Sequence, residues 1–555
     1  MSEATPLSDG LDPECRARLF PTLDAPQLER LGRVGRRRPA SAGELVFDQG
    51  EASDRIFVVL SGALELLNPV DDVEQSLTVA RAGQFTGEIS QLAGRRTLVR
   101  ARMRETGELL EIPHEALRKV VQTDPELSDI LLRAFVLRRV ELIARSSGDT
   151  VLIGSSHSAA TLRLREFLTR NGHPHAYLDV EHDPGVQALL DRFSLRVEDV
   201  PVVICRYQLV LRNPSNEEVA ECLGLNARFD PERSRDLLVV GAGPAGLAAA
   251  VYGASEGLSV LVLESNAPGG QAGSSSRIEN YLGFPTGISG QELAGRAFTQ
   301  AEKFGAEVAI ARTAAGFRCD VRPYVVELSG GGQIKARAVV IATGVRYRKL
   351  PLPELSRFEG AGVYYGATQT EAQLCAGQEV IVVGGGNSAG QAAVFLAGKG
   401  SRVHVVVRGT GLADSMSRYL IQRIEDSPVV TLHTRTEVRE LIGRESLEGV
   451  RIEGPGASQV LPIRHLFCMT GAEPHTACLR GCVALDDKGF VKTGQDLRAE
   501  DLAAWPLRRP PFLLETSIPG VFAVGDVRSG SIKRVASAVG EGSICVQLVH
   551  RFLAE

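Results

Sequence analysis

The chain has 555 residues, of which 44% are apolar and 23% charged, and its formal net charge is -5. This length is too great for a single hydrophobic core, so we expect a globular protein of several domains. The nearly balanced charge excludes a general attraction to nucleic acid or anionic lipid, and no apolar run is long enough to span a membrane.

Residues 1 to 147 predict a small β-roll followed by a long helix. Apolar runs such as RIFVVLSGALELL (55–67) and GELLEIP (107–113) alternate with turn signals, which is typical of an all-β roll. After the roll, Leu127, Leu131 and Phe135 follow helical spacing. A polar linker then leads to the next unit.

Residues 148 to 227 alternate strand and helix. The run TVLIGSS (150–156) predicts a strand, the next segment a helix, and VPVVICRYQLVLRNP (200–214) two further strands joined by a turn. A helix closes the unit. We expect a βαβ plan that a hairpin and a helix complete.

From residue 235 onward the pattern repeats, and two similar glycine loops indicate two Rossmann-type units. In the first loop, Gly241 permits a tight turn, Gly243 a close approach to a pyrophosphate, and Gly246 close packing of helix on strand. The second strand ends in Glu264, where a carboxylate would bind ribose hydroxyls. The spacing predicts a dinucleotide site.

The second loop has Gly384, Gly386 and Ala389 in the corresponding positions. Its next strand ends in Arg408, where the first unit has Glu264. Because a cation there can pair with a 2′-phosphate, this loop favours NADPH over NADH.

At this point residues 235–555 resemble the thioredoxin reductase family of flavoproteins. The motifs GAGPAG, GGQ, IENYLGFP, VVIATG, GGGNSA and TSIPGVFAVGDV occur in the family's order. The resemblance implies an FAD domain at 235–350 and 466–555, an NADPH domain at 351–465, and a homodimer. It assigns FAD to Gly241, Gly243, Gly246, Glu264, Gly270, Gln271, Asn280, Thr343, Gly344, Gly525, Asp526, Lys533, Arg534 and Val535. It assigns NADPH to Gly384, Gly386, Asn387, Ser388, Ala389 and Arg408.

The chain departs from this family at its redox-active cysteines. The family's Cys-Ala-Thr-Cys aligns with Gly366-Ala367-Thr368-Gln369. Without a thiol at either end, disulfide exchange through this position is chemically excluded. The family's second arginine for the 2′-phosphate is replaced by Gly409, although Arg418 could assist.

The nine cysteines are scattered, so we expect reduced thiols in a cytoplasmic protein, with no secretory signal and no metal site. Cys478 and Cys482 are four residues apart and could form a substitute redox pair if helical. The alternative is that they are unrelated small residues. Six further cysteines are expected to be separate buried thiols: Cys205, Cys222, Cys319, Cys375, Cys468 and Cys545.

The middle unit resembles a glutaredoxin or thioredoxin fold without its catalytic cysteines. Val200-Pro201 matches the family's cis-proline turn. The loop after the first strand, GSSHSAAT (154–161), contains serines and His157 where the family has its nucleophile. A serine hydroxyl cannot replace a thiolate without an activating base, so we expect a docking or structural role.

The roll resembles the cyclic-nucleotide-binding domain through ELVFDQG, IFVVLSGALEL and FTGEISQLAGRRTLVRARM. The resemblance implies that Gly87 and Glu88 bind the ribose and that Arg95 or Arg96 binds the cyclic phosphate. The alternative is a roll that has lost its ligand and serves as an interaction surface. No DNA-binding helix-turn-helix follows the long helix, so we expect no nucleic-acid partner.

Three functions fit these predictions. The first is an NADPH-dependent FAD oxidoreductase with an unidentified electron acceptor, regulated by a cyclic nucleotide. The second is a signalling or scaffold protein that binds FAD and NADPH with little turnover. The third is a thioredoxin-disulfide reductase that uses Cys478 and Cys482.

Overall fold

The computed structural model describes residues 13–51, 54–70, 73–87, 96–144, 150–156, 158–183, 186, 190, 195–205, 209–226, 232–275, 277–367, 369–413, 416–444, 446–479 and 481–555. Within these ranges, no helix combines the length and the hydropathy needed to cross a bilayer.

The first unit is an antiparallel roll with helices at both ends. Its strands follow the order β1-β5-β3-β4, and β2 pairs with β5. The predicted run at 107–113 is the second half of a longer strand, β5, and both halves of β5 pair with β3. The elements are α1 (Pro13–Leu19), α2 (Ala25–Gly32), β1 (Arg36–Ala40), β2 (Leu45–Phe47), β3 (Arg55–Val70), β4 (Val73–Arg81), β5 (Arg100–Pro113), α3 (His114–Thr123) and α4 (Pro125–Ala144).

Helix α4 closes the roll, and it buries Leu127, Leu131 and Phe135 in the core, as its spacing predicts. One turn further, the Arg138 guanidinium lies 4.7 Å from the centre of the Phe85 ring. It donates hydrogen bonds of 2.8 Å to the carbonyl oxygens of Leu19 and Gly87. The helix therefore anchors the turn at Gly87.

The middle unit has a four-stranded sheet in the order β7-β6-β8-β9. Strands β6 and β7 are parallel, whereas β8 runs antiparallel to β6 and forms a hairpin with β9. The expected cis peptide bond between Val200 and Pro201 is present. The elements are β6 (Thr150–Gly154), α5 (Ala159–Arg170), β7 (Ala176–Asp179), β8 (Val202–Cys205), β9 (Leu209–Arg212) and α6 (Asn216–Leu223).

A seven-stranded sheet follows, in the order β12-β11-β10-β15-β14-β13 with β26 beside β15. Its central strands are parallel, and the buried runs at 237–240 and 260–263 are apolar on both faces, as expected of a sheet covered by helices. The elements are β10 (Arg235–Val240), α7 (Pro244–Ser255), β11 (Val260–Glu264), α8 (Gly290–Phe304), β12 (Glu307–Ile310), β13 (Ala314–Arg318), β14 (Tyr324–Leu328), β15 (Gln333–Ile341), β26 (Val521–Ala523) and α13 (Val535–Leu553).

A five-stranded parallel sheet in the order β17-β24-β18-β19-β20 is inserted between β15 and β26. A three-stranded antiparallel sheet, β21-β22-β23, is attached to it, and the pair β16–β25 links it to the larger sheet. The elements are β16 (Val345–Tyr347), α9 (Leu355–Phe358), β17 (Val363–Tyr364), α10 (Gln369–Leu374), β18 (Glu379–Val383), α11 (Asn387–Gly398), β19 (Arg402–Val406), α12 (Arg418–Glu425), β20 (Val430–His433), β21 (Glu437–Gly443), β22 (Leu447–Gly454), β23 (Ala457–Leu461), β24 (His465–Cys468) and β25 (Ala472–Pro474).

The roll contacts both units that follow it. The side-chain amide of Gln122, on α3, donates a 3.0 Å hydrogen bond to the carbonyl oxygen of Lys303, near the end of α8. Arg96 packs against Gly224, which ends α6 in the left-handed conformation.

Candidate functional site

One cavity of about 1450 Å³ collects residues from both Rossmann-type units and from the middle unit. The predicted FAD residues that line it are Gly241, Gly243, Glu264, Gly270, Gln271, Asn280, Thr343, Gly344, Gly525, Asp526, Lys533, Arg534 and Val535. Gly246 lies behind the lining, where a Cβ would come within 1.9 Å of the Gly241 carbonyl oxygen.

The first glycine loop joins β10 to α7 and shapes one wall of this cavity. Gly241 has φ +106°, a conformation that favours glycine. A Cβ on Gly243 would meet no atom within 4 Å, so its missing side chain leaves open space beside the loop. The loop therefore offers a cradle of backbone groups suited to a pyrophosphate.

Glu264 ends β11 and is only 7% exposed. Its carboxylate accepts 2.8 Å hydrogen bonds from the backbone N–H groups of Ala242 and Asn266. Burial raises the pKa of Glu264, and these N–H groups and the nearby Arg170 act in the opposite direction. A buried carboxylate at the cavity wall is suited to accept hydrogen bonds from ribose hydroxyls.

The centre of the cavity is formed where β15 ends. The Thr343 hydroxyl is buried and has no hydrogen-bond partner among the described residues. Gln271 donates from its side-chain amide to the carbonyl oxygen of Val345, and the backbone N–H of His475 donates to Gly344 at 3.0 Å. An unpaired buried donor beside an open cradle fits a bound dinucleotide such as FAD.

The chain returns to the cavity between β26 and α13. The Gly525 N–H donates to Glu541 at 2.7 Å, and the Lys533 ammonium donates to the Asp526 carbonyl oxygen at 2.5 Å. Burial raises the pKa of Asp526 and lowers the pKa of Lys533. Gly525, Asp526 and Lys533 line the cavity beside the start of α7, where a Cβ on Gly525 would lie 2.9 Å from the Ala245 side chain.

The second glycine loop joins β18 to α11 and contributes Asn387 and Ser388 to the same cavity. Gly384 has φ +139°, and a Cβ there would come within 2.2 Å of the Met469 carbonyl oxygen. The Asn387 side chain accepts a 2.6 Å hydrogen bond from the Ser417 N–H. Gly384, Gly386 and Ala389 shape this loop without lining the cavity, and Arg408 is exposed outside it.

Gly366 and the two tyrosines before it, Tyr364 and Tyr365, also line the cavity. Ala367 is buried, while Thr368 lies outside the described residues. A Cβ on Gly366 would meet no atom within 4 Å. Gly366, which the sequence analysis aligns with the family's first cysteine, therefore lines the cavity and has open space where a side chain would begin.

The expected cysteine pair is wrong, because Cys482 forms a disulfide with Cys319 and Cys478 is free. Cys205 and Cys222 also form a disulfide, so the expectation of separate thiols fails for Cys205, Cys222 and Cys319. Folding brings these sulfurs together from positions 163 and 17 residues apart. Cys375, Cys468 and Cys545 are free and buried, as expected. The free Cys478 lines the cavity.

The predicted effector residues of the roll are only partly described. Gly87 has φ +110° and its carbonyl oxygen is held by Arg138. Glu88 and Arg95 lie outside the described residues. Arg96 packs against Gly224 and thereby joins the roll to the middle unit.

A second cavity, of about 480 Å³, lies in the roll. Arg55, in its lining, forms a bidentate pair with Asp54 at 2.6 Å and also contacts Glu111. Because these charges already pair with one another, the cavity offers no free cation for a phosphate among its described lining residues.

Several cavity residues carry no sequence signal of their own. They are Arg163, Glu166 and Arg170 of α5, with His475 after β25. Burial lowers the pKa of His475 and raises the pKa of Cys478, which keeps both side chains neutral over a wider pH range. Only the folded chain brings these residues to the glycine loops.

Comparison with known proteins agrees with this geometry. Residues 235–542 match the pyridine nucleotide-disulphide oxidoreductase family, and residues 37–124 match the cyclic nucleotide-binding domain. A thioredoxin reductase of Bacillus subtilis (strain 168) is 32% identical over 326 residues, which are 58% of this chain and 96% of that protein. A 34.2 kDa protein in the rubredoxin operon of Clostridium pasteurianum is 29% identical over 324 residues, 58% of this chain and 98% of that protein.

Among solved structures, thioredoxin reductase of Lactococcus lactis in its FR conformation superimposes with a TM-score of 0.52 at 27% identity. The match covers 58% of this chain and 99% of that chain. Members of this family use FAD and NADPH. The chain therefore belongs to the pyridine nucleotide-disulphide oxidoreductases, among the thioredoxin reductases, as an NAD(P)H-dependent flavoprotein oxidoreductase with an added cyclic nucleotide-binding domain.

Proposed function

We propose that this chain transfers electrons from NADPH through FAD to an acceptor other than a disulfide at residues 366–369. The observation that carries this proposal is that one cavity is lined by both glycine-loop units and by Gly366, which the sequence analysis aligns with the family's first redox cysteine and which has no thiol. No two cysteines of the chain are separated by two residues, so no Cys-x-x-Cys pair exists elsewhere in the sequence.

Each part of the cavity has a role in this proposal. Glu264 accepts from the ribose of FAD, the loop at Gly243 cradles the pyrophosphate, and Thr343 binds near the centre of the cofactor. Asn387 and Ser388 belong to the NADPH side. When bound, FAD supplies two-electron acceptance from a nicotinamide and onward transfer in one- or two-electron steps.

The acceptor is a small redox protein or molecule that reaches the cavity. The relative from a rubredoxin operon supports a one-electron carrier as partner. The chain works as a homodimer in the cytoplasm, with a cyclic nucleotide at Gly87, Glu88 and either Arg95 or Arg96 as effector. Its domains are the roll with its long helix at 1–147, the middle unit at 148–227, the FAD domain at 235–350 with 466–555, and the NADPH domain at 351–465.

An anaerobic titration of the oxidised holoprotein with NADPH tests this proposal. The flavin absorbance should bleach after about one equivalent of NADPH per FAD, because FAD accepts two electrons and works alone. The variant Cys478→Ser, which removes the free thiol of the cavity, should give the same end point.

Two other results would contradict the proposal. Consumption of about two equivalents, restored to one by Cys319→Ser with Cys482→Ser, would mean that this disulfide takes electrons from the flavin. No bleaching by NADPH or NADH would indicate a protein that binds nucleotides without turnover.

A further inference from the structure

The middle unit is docked firmly against the first Rossmann-type unit. Ile310 and Ala311, at the end of β12, share a hydrophobic cluster with Leu164 and Phe167 of α5. The Asn226 side chain donates to the Ile310 carbonyl at 2.9 Å and accepts from its N–H at 2.6 Å. Such a two-way bond to a strand end fixes the relative position of the two units.

Ion pairs reinforce this contact beside the cavity. Arg312 follows β12 and lines the cavity. Its guanidinium contacts Glu217 and lies 2.8 Å from the Glu221 carboxylate, both on α6. The middle unit is thus attached at the edge of the nucleotide site.

One face of α5 forms part of the cavity wall. Ala159, Leu162, Arg163, Glu166 and Arg170 all line the cavity, and their spacing of three to four residues places them on one side of the helix. The thioredoxin-like unit therefore presents a continuous helical face to the space in which FAD is expected.

Arg170 is the residue of this face that contacts Gly270, in the turn beside the first glycine loop. Its Nη2 donates a 2.6 Å hydrogen bond to the Gly270 carbonyl oxygen, and its Nη1 lies 3.3 Å from Glu166. Its Nε is buried and has no hydrogen-bond partner among the described residues. The side chain is 15% exposed. A buried, unpaired donor on a cation calls for an acceptor.

The surroundings of Arg170 identify that acceptor. A Cβ on Gly270 would lie 3.0 Å from the Cα of Gly243, so the carbonyl that Arg170 holds belongs to a turn closed over the pyrophosphate cradle. Arg170 also lies close enough to Glu264 to act on its charge. The guanidinium therefore lies between the expected ribose and pyrophosphate positions.

We propose that Arg170 binds the ribose–pyrophosphate part of FAD, and that the middle unit serves as a wall of the FAD site. The Nε donor and the positive charge match a dianionic pyrophosphate, for which the planar guanidinium is well suited. This role requires no thiol, and it gives a function to a thioredoxin-like unit without catalytic cysteines. The inference rests on FAD binding and not on the electron acceptor.

The test compares the FAD affinity of full-length variants. FAD is removed, and the apoprotein is titrated with FAD while the quenching of flavin fluorescence is followed. Arg170→Met should raise the Kd on the order of 10- to 100-fold, because a charge-assisted hydrogen bond is lost. The control Arg165→Met, on the same helix but packed over Tyr177, should stay within about twofold.

Competition by ADP separates direct binding from a loosened fold. ADP carries the ribose and pyrophosphate of FAD without the flavin, so its inhibition constant against FAD should rise in the same proportion in Arg170→Met. If Arg170→Met fails to fold, the variant Arg170→Lys takes its place in the test. Lysine keeps the positive charge but lacks the planar guanidinium with its Nε donor, so the Kd for FAD should rise several-fold.

Three results overturn the proposal. They are an unchanged Kd in Arg170→Met or in Arg170→Lys, equal weakening in Arg165→Met, or weaker FAD binding without weaker ADP competition. NADPH is absent from these titrations. Failure of flavin reduction would therefore leave the result intact, and failure here would leave the proposed function intact.

Discussion

Glu264 has two tasks, since it holds the backbone of the glycine loop and lines the cavity beside it. Its burial raises its pKa, so it takes up a proton at a higher pH than an exposed glutamate does. Only the ionised carboxylate is a pure acceptor for ribose hydroxyls. The protonation state of Glu264 therefore directly affects the binding of FAD.

We expect the protein to bind FAD with its full affinity when the pH is above the pKa of Glu264. The affinity should fall as the pH drops through that pKa. Because that pKa is raised, the decline should begin at a higher pH than for an ordinary glutamate. Fluorescence titrations with FAD at a series of pH values measure it. Glu264→Gln should bind FAD more weakly and lose this pH dependence, and a decline that persists in the variant would point to another group.

Gly366 offers a second prediction at the scale of the residue. Its φ is not in the left-handed region and a Cβ there meets no atom within 4 Å, so a cysteine fits. Residue 369 begins α10, where a helix N-terminus favours a thiolate. The double variant Gly366→Cys with Gln369→Cys should consume about one more equivalent of NADPH per flavin in an anaerobic titration, because a disulfide takes two electrons.

The matched control for this pair is Gly366→Ser with Gln369→Ser, which has similar volume without redox chemistry. Its titration should end where the parent protein's does. An unchanged end point in the cysteine variant, with both thiols shown to be oxidised beforehand, would mean that position 366 does not exchange electrons with the flavin.

At the scale of elements, α4 is tied to the roll by Arg138, which is buried against Phe20 and Phe85. Burial lowers the pKa of this guanidinium to about 9. Its hydrogen bonds to Leu19 and Gly87 satisfy two carbonyl oxygens that would otherwise lack these donors. The turn at Gly87, part of the proposed effector site, thus depends on a helix 51 residues away in sequence.

Arg138→Met should lower the free energy of unfolding of the roll by about 2–4 kcal/mol, since buried acceptors lose their donors. Denaturant unfolding followed by circular dichroism measures the change. Arg133→Met is the control, because Arg133 is exposed on the same helix and its ion pair within the described part of the chain is with exposed Asp129. That control should change stability by no more than about 0.5 kcal/mol, and equal losses in both variants would refute the role of Arg138.

The elements also show which features a sequence can predict. Glycine spacing is a local signal, so both loops and the strand before each could be read from the chain. The separation of Arg170 from Gly270 is 100 residues, and that of Cys319 from Cys482 is 163 residues. Such pairs are set by how the units pack, and no spacing along the chain encodes them. For the same reason the run at 107–113 indicates only part of β5, because the full length of that strand is set by its pairing with β3.

At the scale of the whole molecule, the roll that carries the proposed effector site contacts both the middle unit and the first Rossmann-type unit, which line the cavity. If a cyclic nucleotide bound to the roll changes FAD binding, FAD must change cyclic-nucleotide binding by the same factor. We expect the Kd of cyclic AMP or cyclic GMP, measured by calorimetry, to differ between the FAD-loaded and FAD-free protein. Equal values in the two forms would show that the roll and the flavin site are uncoupled.

Helix α8 contacts the cavity wall near one end and the roll near the other. At its first residue, a Cβ on Gly290 would lie within 1.8 Å of the Ala272 carbonyl oxygen, in the turn after Gln271. Near its other end, Lys303 accepts the hydrogen bond from the roll. The 15 residues of α8 form a helix of roughly 22 Å in length. Loss of FAD would loosen the turn at one end of α8 and weaken the contact with the roll at the other end. Proteases should therefore cleave the FAD-free protein more readily than the FAD-bound protein at a surface far from the flavin.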